Sequence, residues 1–295
     1  MSILNKGKSL EYVIDYKNGN ISKGRGINCR LDDFYLFKRA ELVLLCGFDN
    51  TGKTFFLFWY FINLILRYDL KVIIWTGENK PGQVMRDLIQ FYAGEDIESI
   101  TDAKALRLGT LLENNIEFIE NNKLYKPGEL LQLFEQSEAD ICLIDPFTGL
   151  DREFTYDGNY KFLNQSREFC NRTGKTLYVT THPNTDAGRS GNLYPDGHTF
   201  KGHLKAPLRS NIEGGLAWCN RADAVLILHR LVKHKDMKFE TMLNVEKIKD
   251  TASGGKVTDF DSPLLFSYNY GLGFLSEGKD PLNDLRRETQ KTFNI

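Results

Sequence analysis

The chain has 295 residues, of which 41% are hydrophobic and 12% aromatic. This length and composition suffice for one large α/β domain or two small ones. The net charge of −1 excludes a globally basic protein, so any contact with nucleic acid requires a local basic patch. Five cysteines are scattered without CxxC spacing, which indicates reduced thiols in a cytosolic compartment rather than a metal cluster.

The sequence contains no pattern typical of a signal peptide or a membrane span. The first residues, MSILNKGKSLEY, have no apolar signal-peptide core. The most apolar segment, residues 55–66, contains Asn63 and is shorter than the ~20 residues that cross a bilayer. We therefore expect a cytoplasmic protein and interpret this segment as a buried helix.

The first predicted element is a short amphipathic helix over residues 9–17. Leu10, Val13 and Ile14 fall at helical spacing and form an apolar stripe. An isolated helix of this length is marginal in water. The stripe therefore needs a partner, which is either the domain of the same chain or a neighbouring subunit.

From residue 41 onward, apolar strand-like runs alternate with helical patterns. The predicted strands are 41–46, 71–76, 116–119, 140–145, 176–181, 223–229, 239–247 and 263–268. The predicted helices are 53–68, 81–93, 102–113, 127–137 and 157–173. Continuous apolar strands separated by helices predict an α/β fold with a largely parallel sheet covered on both faces. The last three strands lack intervening helices and predict an antiparallel extension, and the polar residues 276–295 predict a loosely held tail.

Residues 41–54, ELVLLCGFDNTGKT, contain the pattern GxxxxGK[ST] directly after a predicted strand. Gly47 and Gly52 permit a backbone that aims several N–H groups at one phosphate, and the next helix adds its dipole. Lys53 supplies a mobile charge for the β- and γ-phosphates, and the Thr54 hydroxyl is a ligand for Mg²⁺. The segment therefore predicts a site for ATP or another NTP with Mg²⁺. Its candidate nucleotide-binding residues are Gly47, Asp49, Asn50, Thr51, Gly52, Lys53, Thr54 and Phe55.

Three polar residues follow other predicted strands and are candidates to complete this site. Asp145 ends the run ICLID, which has the form of a Walker B strand and indicates a carboxylate linked to Mg²⁺. Glu78 follows the strand VIIWTG and is the candidate base that polarises the attacking water. His182 ends LYVTTH, and we expect it to contact the γ-phosphate.

A long basic stretch with little predicted structure follows His182 and runs to Asn211. Its length indicates either a functional loop or disorder. The stretch carries more basic than acidic residues, which suits binding of a nucleic-acid backbone without sequence preference, although a solvated surface loop remains the alternative. The candidate nucleic-acid-binding residues are Arg189, Lys201, Lys205 and Arg209.

Taken together, these motifs resemble the RecA-like motor domain of the DnaB-type replicative helicases, a family that includes phage primase-helicases and Twinkle. The resemblance runs from about residue 9 to residue 275. It is carried by the order of the phosphate loop, WTGEN, Asp145-Pro146 and Thr181-His182-Pro183, and then by residues 212–230 and VEKIKD at 245–250.

The resemblance implies a homo-oligomer, usually a hexameric ring, with ATP bound between neighbouring subunits and single-stranded DNA in the channel. Glu78 then matches the catalytic glutamate, Asp145 the Mg²⁺-linked carboxylate and His182 the γ-phosphate sensor. Arg230 and Tyr268 match positions that flank the nucleotide base. Lys247 and Lys249 match the strand that reaches the γ-phosphate of the adjacent subunit.

The resemblance also implies three parts and one departure. Residues 1–30 would form a linker helix and arm that dock on a neighbour, residues 31–275 the motor domain, and residues 276–295 the polar tail. The family normally has Arg where this chain has Lys249, and Arg221 or Arg230 are alternative fingers. We expect a bare motor of phage type that relies on a separate primase or loader.

Three functions are compatible with these patterns. The first is a ring-forming replicative DNA helicase that translocates on single-stranded DNA. The second is a RecA-class recombination ATPase that forms filaments, and the third is a nucleotide-dependent scaffold with weak turnover. Glu78 argues against the scaffold, and the segments 9–17 and 212–250 favour the helicase.

Overall fold

A mixed β-sheet is the central element of the computed structural model, which describes residues 7–153, 155–259 and 261–287. Its strands are β1 (Leu42–Cys46), β2 (Val72–Thr76), β3 (Ile116–Phe118), β4 (Ile141–Asp145), β5 (Thr176–Thr181), β6 (Ala224–Arg230), β7 (Glu240–Ile248), β8 (Leu264–Tyr268) and β9 (Phe274–Ser276). The order across the sheet is β3-β2-β4-β5-β1-β6-β7-β8-β9. Strands β1 to β6 pair in parallel, and β6 to β9 pair antiparallel, so the predicted antiparallel extension is confirmed.

Helices cover both faces of this sheet. They are α1 (Lys8–Lys17), α2 (Lys53–Tyr68), α3 (Pro81–Ala93), α4 (Asp102–Glu113), α5 (Pro127–Gln136), α6 (Tyr156–Thr173) and α7 (Ala217–Arg221). The predicted helices coincide with α2 to α6 within a residue at each end, because their apolar periodicity and terminal Pro or Gly residues are clear. Strand β9 was not predicted, since a run of three residues carries no periodicity.

The two faces of β1 explain why this strand is apolar throughout. Val43 and Leu45 pack in the same cluster as the apolar side of α2, whereas Leu42 and Leu44 pack in the cluster that contains α6. Every residue of β1 is buried. A parallel strand covered on both faces has no solvent-facing side, and its sequence therefore lacks alternation.

Strand direction defines two edges of the sheet. The parallel strands β1, β2, β4, β5 and β6 end at one edge, which we call the carboxyl edge. Strand β8 ends there as well, because it is antiparallel to β7, which is itself antiparallel to β6. Strand β7 ends at the opposite edge, which we call the amino edge.

The C-terminal residues that the structure describes pack on the domain. Leu282 is buried, and the guanidinium of Arg286 donates to the carboxylate of Asp280 at 2.6 Å. Arg286 Nε also donates to the carbonyl of Phe91 in α3 at 3.0 Å. The expectation of a loose tail is therefore wrong for residues 276–287, because the isolated Leu282 gave no periodic signal; residues 288–295 lie outside the described part of the chain.

Across the described ranges, none of the helices combines the length and the apolar character that crossing a bilayer requires.

We expect Leu45→Ala to lower the free energy of unfolding by about 2–5 kcal/mol, because it removes a fully buried side chain from the central strand. Urea-induced unfolding measures this change. Leu106→Ala, on an exposed position of α4, is the matched control and should change the value by less than about 0.5 kcal/mol. Equal losses in the two variants would contradict the central position of β1.

Candidate active site

The loop between β1 and α2 has the conformation that a phosphate-binding turn requires. Gly52 adopts φ 85° immediately before the first residue of α2, and Asn50 adopts φ 58°. A Cβ at Gly47 would lie 2.4 Å from the carbonyl oxygen of Leu228 on β6. Glycine is therefore needed at Gly47 for close approach and at Gly52 for the left-handed backbone.

Lys53 is the first residue of α2, and its side chain lies inside the loop. Its Nζ donates to the carbonyl oxygens of Gly47 at 2.9 Å and Phe48 at 3.0 Å. Burial lowers the pKa of Lys53, and the negative charges of Asp145 and Asp49 oppose that shift. The lysine is thus held at the place where the loop and the helix dipole offer positive potential.

Asp145 links the phosphate loop to β4 and β5. Its carboxylate accepts a hydrogen bond from Thr54 Oγ1 at 2.7 Å and another from Thr180 Oγ1. Burial raises the pKa of Asp145, whereas these two hydroxyl donors act in the opposite direction. The hydrogen bonds therefore stabilise the charged form of a fully buried carboxylate.

Thr54 and Asp145 form an oxygen donor pair that fits Mg²⁺. A hydroxyl and a carboxylate are the hard ligands that Mg²⁺ prefers, and this ion usually completes its shell with waters and substrate phosphates. No group of three or more His, Cys, Asp and Glu side chains in the described part of the chain is arranged to hold a metal ion. Such a complete protein cage is not required for Mg²⁺ at a phosphate site.

His182 lies next to the phosphate loop, as its position at the end of β5 predicts. Its Nδ1 is 2.9 Å from Asp49 Oδ1 and 3.4 Å from Lys53 Nζ. Burial and the charge of Lys53 lower the pKa of His182, and the nearby carboxylates of Asp49 and Glu78 oppose this. The structure therefore brings His182 and Lys53 together.

Glu78 lies just beyond the end of β2 and is exposed. Thr76, which ends β2, is the register partner of Asp145 on β4, so Glu78 shares the carboxyl edge with Asp145. The charge of Glu78 raises the pKa values of both Asp145 and His182. An exposed carboxylate close to these groups is accessible to water, as a general base requires.

Arg230 and Tyr268 lie together at the carboxyl edge. The Arg230 guanidinium is 5.2 Å from the centre of the Tyr268 ring, and Arg230 Nε donates to the carbonyl of Lys238 at 2.8 Å. Phe55 of α2 packs against Tyr268 with a centroid distance of 5.6 Å. The candidate base-flanking residues are therefore adjacent to the start of α2.

Lys247 and Lys249 lie at the amino edge, on the side of the sheet opposite to the phosphate loop of their own chain. Lys247 is the register partner of Val225 near the start of β6, and its Nζ donates to the carbonyl of Cys219 at 2.5 Å. Lys249 Nζ is 3.4 Å from the carboxylate of Asp223. The structure does not bring these lysines to the phosphate loop of the same subunit.

The basic stretch after His182 is folded. It contains the short 3₁₀ helices Thr185–Gly188, Ser190–Asn192 and Arg209–Asn211, and the carbonyl of Leu204 is 2.9 Å from Nε2 of His229 on β6. Local turns rather than periodic patterns build this stretch, which is why the sequence predicted little structure there.

The four basic residues of this stretch have different environments. Arg189 pairs with Asp186 at 3.0 Å, and Lys201 pairs with Asp196 at 2.9 Å. Lys205 lines a cleft of about 1200 Å³ on the outer side of β7 and β8. Arg209 lies beside β7, where its Nη1 is 3.5 Å from the carbonyl of Glu246.

Two groups at the site did not emerge from the sequence. Thr180 bonds to Asp145, and Asp49 contacts His182. The paired threonines in LYVTTH were a signal for the first, since two hydroxyls at the end of a buried strand require partners. The Asp49–His182 contact had no local signal, because the two residues are brought together by strands that are adjacent in space but distant in the chain.

We expect Gly47→Ala to destabilise the phosphate loop by about 1–3 kcal/mol, because the new methyl group would collide with a backbone carbonyl that has little freedom to move. The variant should also bind nucleotide more weakly, as a fluorescent ATP analogue would report. Gly82→Ala is the matched control, since a Cβ there meets nothing within 4 Å. Unchanged binding in Gly47→Ala would contradict the close approach.

The chain is similar in structure to two helicase proteins. It aligns with the ATPase domain of one helicase at a TM-score of 0.71 and 15% identity, covering 92% of this chain and 99% of that one. It aligns with a DnaB-like replicative helicase, whose structure was described with its interactions with primase, at a TM-score of 0.67 and 13% identity. That alignment covers 93% of this chain and 67% of the helicase chain. At these identities the likeness shows the fold, and the predicted RecA-like fold of DnaB-type motor domains is confirmed.

Sequence comparisons identify the family. No curated protein matches the chain. A family model described as "ATPase: KaiC" matches residues 26–192, which is more than half of the chain and includes the phosphate loop, Glu78, Asp145 and His182. This protein belongs to the KaiC family of ATPases.

Proposed function

We propose that this protein is a ring-forming helicase-type ATPase that hydrolyses ATP between subunits and moves along single-stranded DNA. The observation that supports this most directly is the division of the candidate catalytic groups between two edges of the sheet. Lys53, Glu78 and His182 lie at the carboxyl edge, whereas Lys247 and Lys249 lie at the amino edge. One subunit therefore holds two incomplete halves, which join when the amino edge of one copy meets the carboxyl edge of the next.

The carboxyl edge contains the groups for hydrolysis. The Glu78 carboxylate accepts a proton from water as the water oxygen attacks the γ-phosphorus. The bond from the γ-phosphorus to the bridging oxygen then breaks, and its electron pair leaves with ADP. Lys53 exchanges its bonds to Gly47 and Phe48 for phosphate oxygens and offsets their negative charge.

Two further contacts complete the binding of the nucleotide. Thr54 directly and Asp145 in part through water would hold Mg²⁺, which supplies positive charge to the phosphates when bound. The ring of Tyr268 and the guanidinium of Arg230 would flank the base, since both lie near the start of α2 and offer flat surfaces for stacking. An NTP preference follows from these two side chains.

The helix α1 supports assembly from several copies. None of its residues is buried, and Leu10, Val13 and Ile14 are exposed by 67%, 48% and 54%. A ten-residue helix with an uncovered apolar stripe is not stable by itself. We propose that α1, within the arm formed by residues 1–30, docks on a second copy of the chain and that six copies close a ring.

A physical connection joins the γ-phosphate sensor to the basic stretch proposed to bind DNA. The amide of Glu213 donates to the carbonyl of His182 at 3.0 Å, and the amide of Asn184 donates to the carbonyl of Asn211 at 2.6 Å. Loss of the γ-phosphate would change the contacts of His182 and shift both ends of the stretch. Arg189, Lys201 and Lys205 would contact the DNA backbone through this movement.

The test measures ATP turnover with and without single-stranded DNA, together with particle mass. A closed oligomer with DNA-stimulated turnover is the expected result. A filament that lengthens on DNA would instead indicate a recombination ATPase, and tight nucleotide binding without turnover would indicate a scaffold.

Glu78→Gln should bind ATP normally and lose turnover by about 10²-fold or more, because the amide cannot accept the proton of water. Lys53→Ala should lose turnover with an unchanged unfolding midpoint. Glu113→Gln, at an exposed position of α4, is the matched control and should keep full turnover. Normal hydrolysis by Glu78→Gln would remove this residue from the mechanism.

We expect the double variant Val13→Asp, Ile14→Asp to lower the particle mass, because two charges on the α1 stripe prevent its burial against a second copy. Turnover should fall in parallel as the two halves of the site separate. Glu11→Gln on the same helix is the control and should leave the mass unchanged. A double variant that keeps the wild-type mass would show that α1 does not hold the oligomer together.

A further inference from the structure

Arg209 is separated in space from the other basic residues of its stretch. Its guanidinium lies beside the end of β7, where Nη1 is 3.5 Å from the carbonyl of Glu246, next to Lys247. This position is close to the amino edge, because Lys247 is the register partner of Val225 near the start of β6. Arg209 is exposed and therefore accessible to a molecule that meets this edge.

Arg209 and Lys247 are fastened to the same residue of α7. Cys219 Sγ donates to the carbonyl of Arg209 at 2.9 Å, and the carbonyl of Cys219 accepts from Lys247 Nζ at 2.5 Å. The two cations are therefore held in a defined relation to each other by a single buried residue. A guanidinium and an ammonium are placed side by side at the amino edge.

The charges around these residues are unbalanced. The pKa of Lys247 is lowered by burial first and also by the positive charges of Lys249 and Arg209. Within the described ranges, no carboxylate lies at ion-pair distance from Arg209 or Lys247, whereas Arg189 and Lys201 each pair with an aspartate in their own stretch. The cluster therefore attracts an anion from outside the subunit.

We propose that Arg209 contacts the phosphates of the nucleotide bound by the neighbouring subunit, beside Lys247 and Lys249. This rests on the proposed function, because the amino edge of one copy must meet the phosphate loop of the next. A guanidinium is planar and binds two phosphate oxygens at once, which neither lysine does. Arg209 is the group at this edge that supplies such a fork as charge develops on the transferring phosphate.

The segment that carries Arg209 is also tied to the sensor of its own subunit. Asn211 accepts from the amide of Asn184 at 2.6 Å, two residues after His182. A change at His182 therefore reaches Arg209 through a short stretch of hydrogen-bonded backbone. The state of one nucleotide would set the position of the guanidinium offered to the next.

The test uses mixed oligomers of full-length chains. Arg209→Ala should lose turnover on the order of 10²-fold, the cost of removing one donor that stabilises developing charge. Lys53→Ala is inactive through its own phosphate loop. A mixture of the two should recover turnover, because interfaces form that combine the intact Lys53 of one subunit with the intact Arg209 of the other.

Parallel mixtures separate failure of this inference from failure of the proposed function. If Lys53→Ala with Lys249→Ala recovers turnover and Lys53→Ala with Arg209→Ala does not, the intersubunit site stands and the role of Arg209 is overturned. If neither mixture recovers turnover while each single variant keeps the wild-type particle mass, the intersubunit site itself is overturned.

Two controls distinguish a phosphate contact from a structural or DNA-binding role. Arg209→Lys should fold as the wild type, keep single-stranded DNA binding in the presence of a non-hydrolysable ATP analogue, and still lose most turnover, since an ammonium lacks the planar fork. Arg287→Ala removes another exposed arginine and should leave turnover unchanged. Loss of DNA binding equal to the loss of turnover, or full turnover in Arg209→Lys, would overturn the assignment.

Discussion

The direction of the strands is the constraint on which the rest of the structure depends. Parallel strands must all end at the same edge, so the phosphate loop after β1, Glu78 after β2, Asp145 at the end of β4 and His182 after β5 meet there. The reversal at β7 sends Lys247 and Lys249 to the other edge. The chemistry of the chain is therefore divided before any side-chain contact is considered, and a single copy cannot unite it.

Within the carboxyl edge, burial and hydrogen bonding act against each other. Burial disfavours the charged forms of Lys53 and Asp145, and their partners restore them. Thr54 and Thr180 hold both oxygens of Asp145, while carbonyls of the phosphate loop hold the ammonium of Lys53. These contacts fix charged groups in the absence of substrate, so that little reorganisation is needed when phosphate charge arrives.

Local sequence patterns predicted the elements of the sheet but not the contacts between distant segments. The apolar run that forms β1 and the periodicity of α2 identified both elements, because each depends on neighbours in sequence. The grouping of Glu78, Asp145 and His182 followed from strand direction alone. The contact of Asp49 with His182 and the packing of Leu282 had no such signal, since both depend on loops whose paths are set by tertiary structure.

Arg209 illustrates why residue type and chain position are insufficient for assigning a role. In the sequence it belongs to a basic stretch and shares a nucleic-acid interpretation with Arg189 and Lys201. The fold moves it away from them, because the 3₁₀ helix Arg209–Asn211 is anchored to α7 through Cys219 and to the sensor strand through Asn184. The same chain segment thus places ion-paired cations on one surface and an unbalanced guanidinium beside the lysines of β7. Charge that is neutralised locally contributes little to recognition, whereas charge held without a partner requires an anion from elsewhere, and in an assembly of identical subunits the neighbouring nucleotide is the anion that this edge would meet.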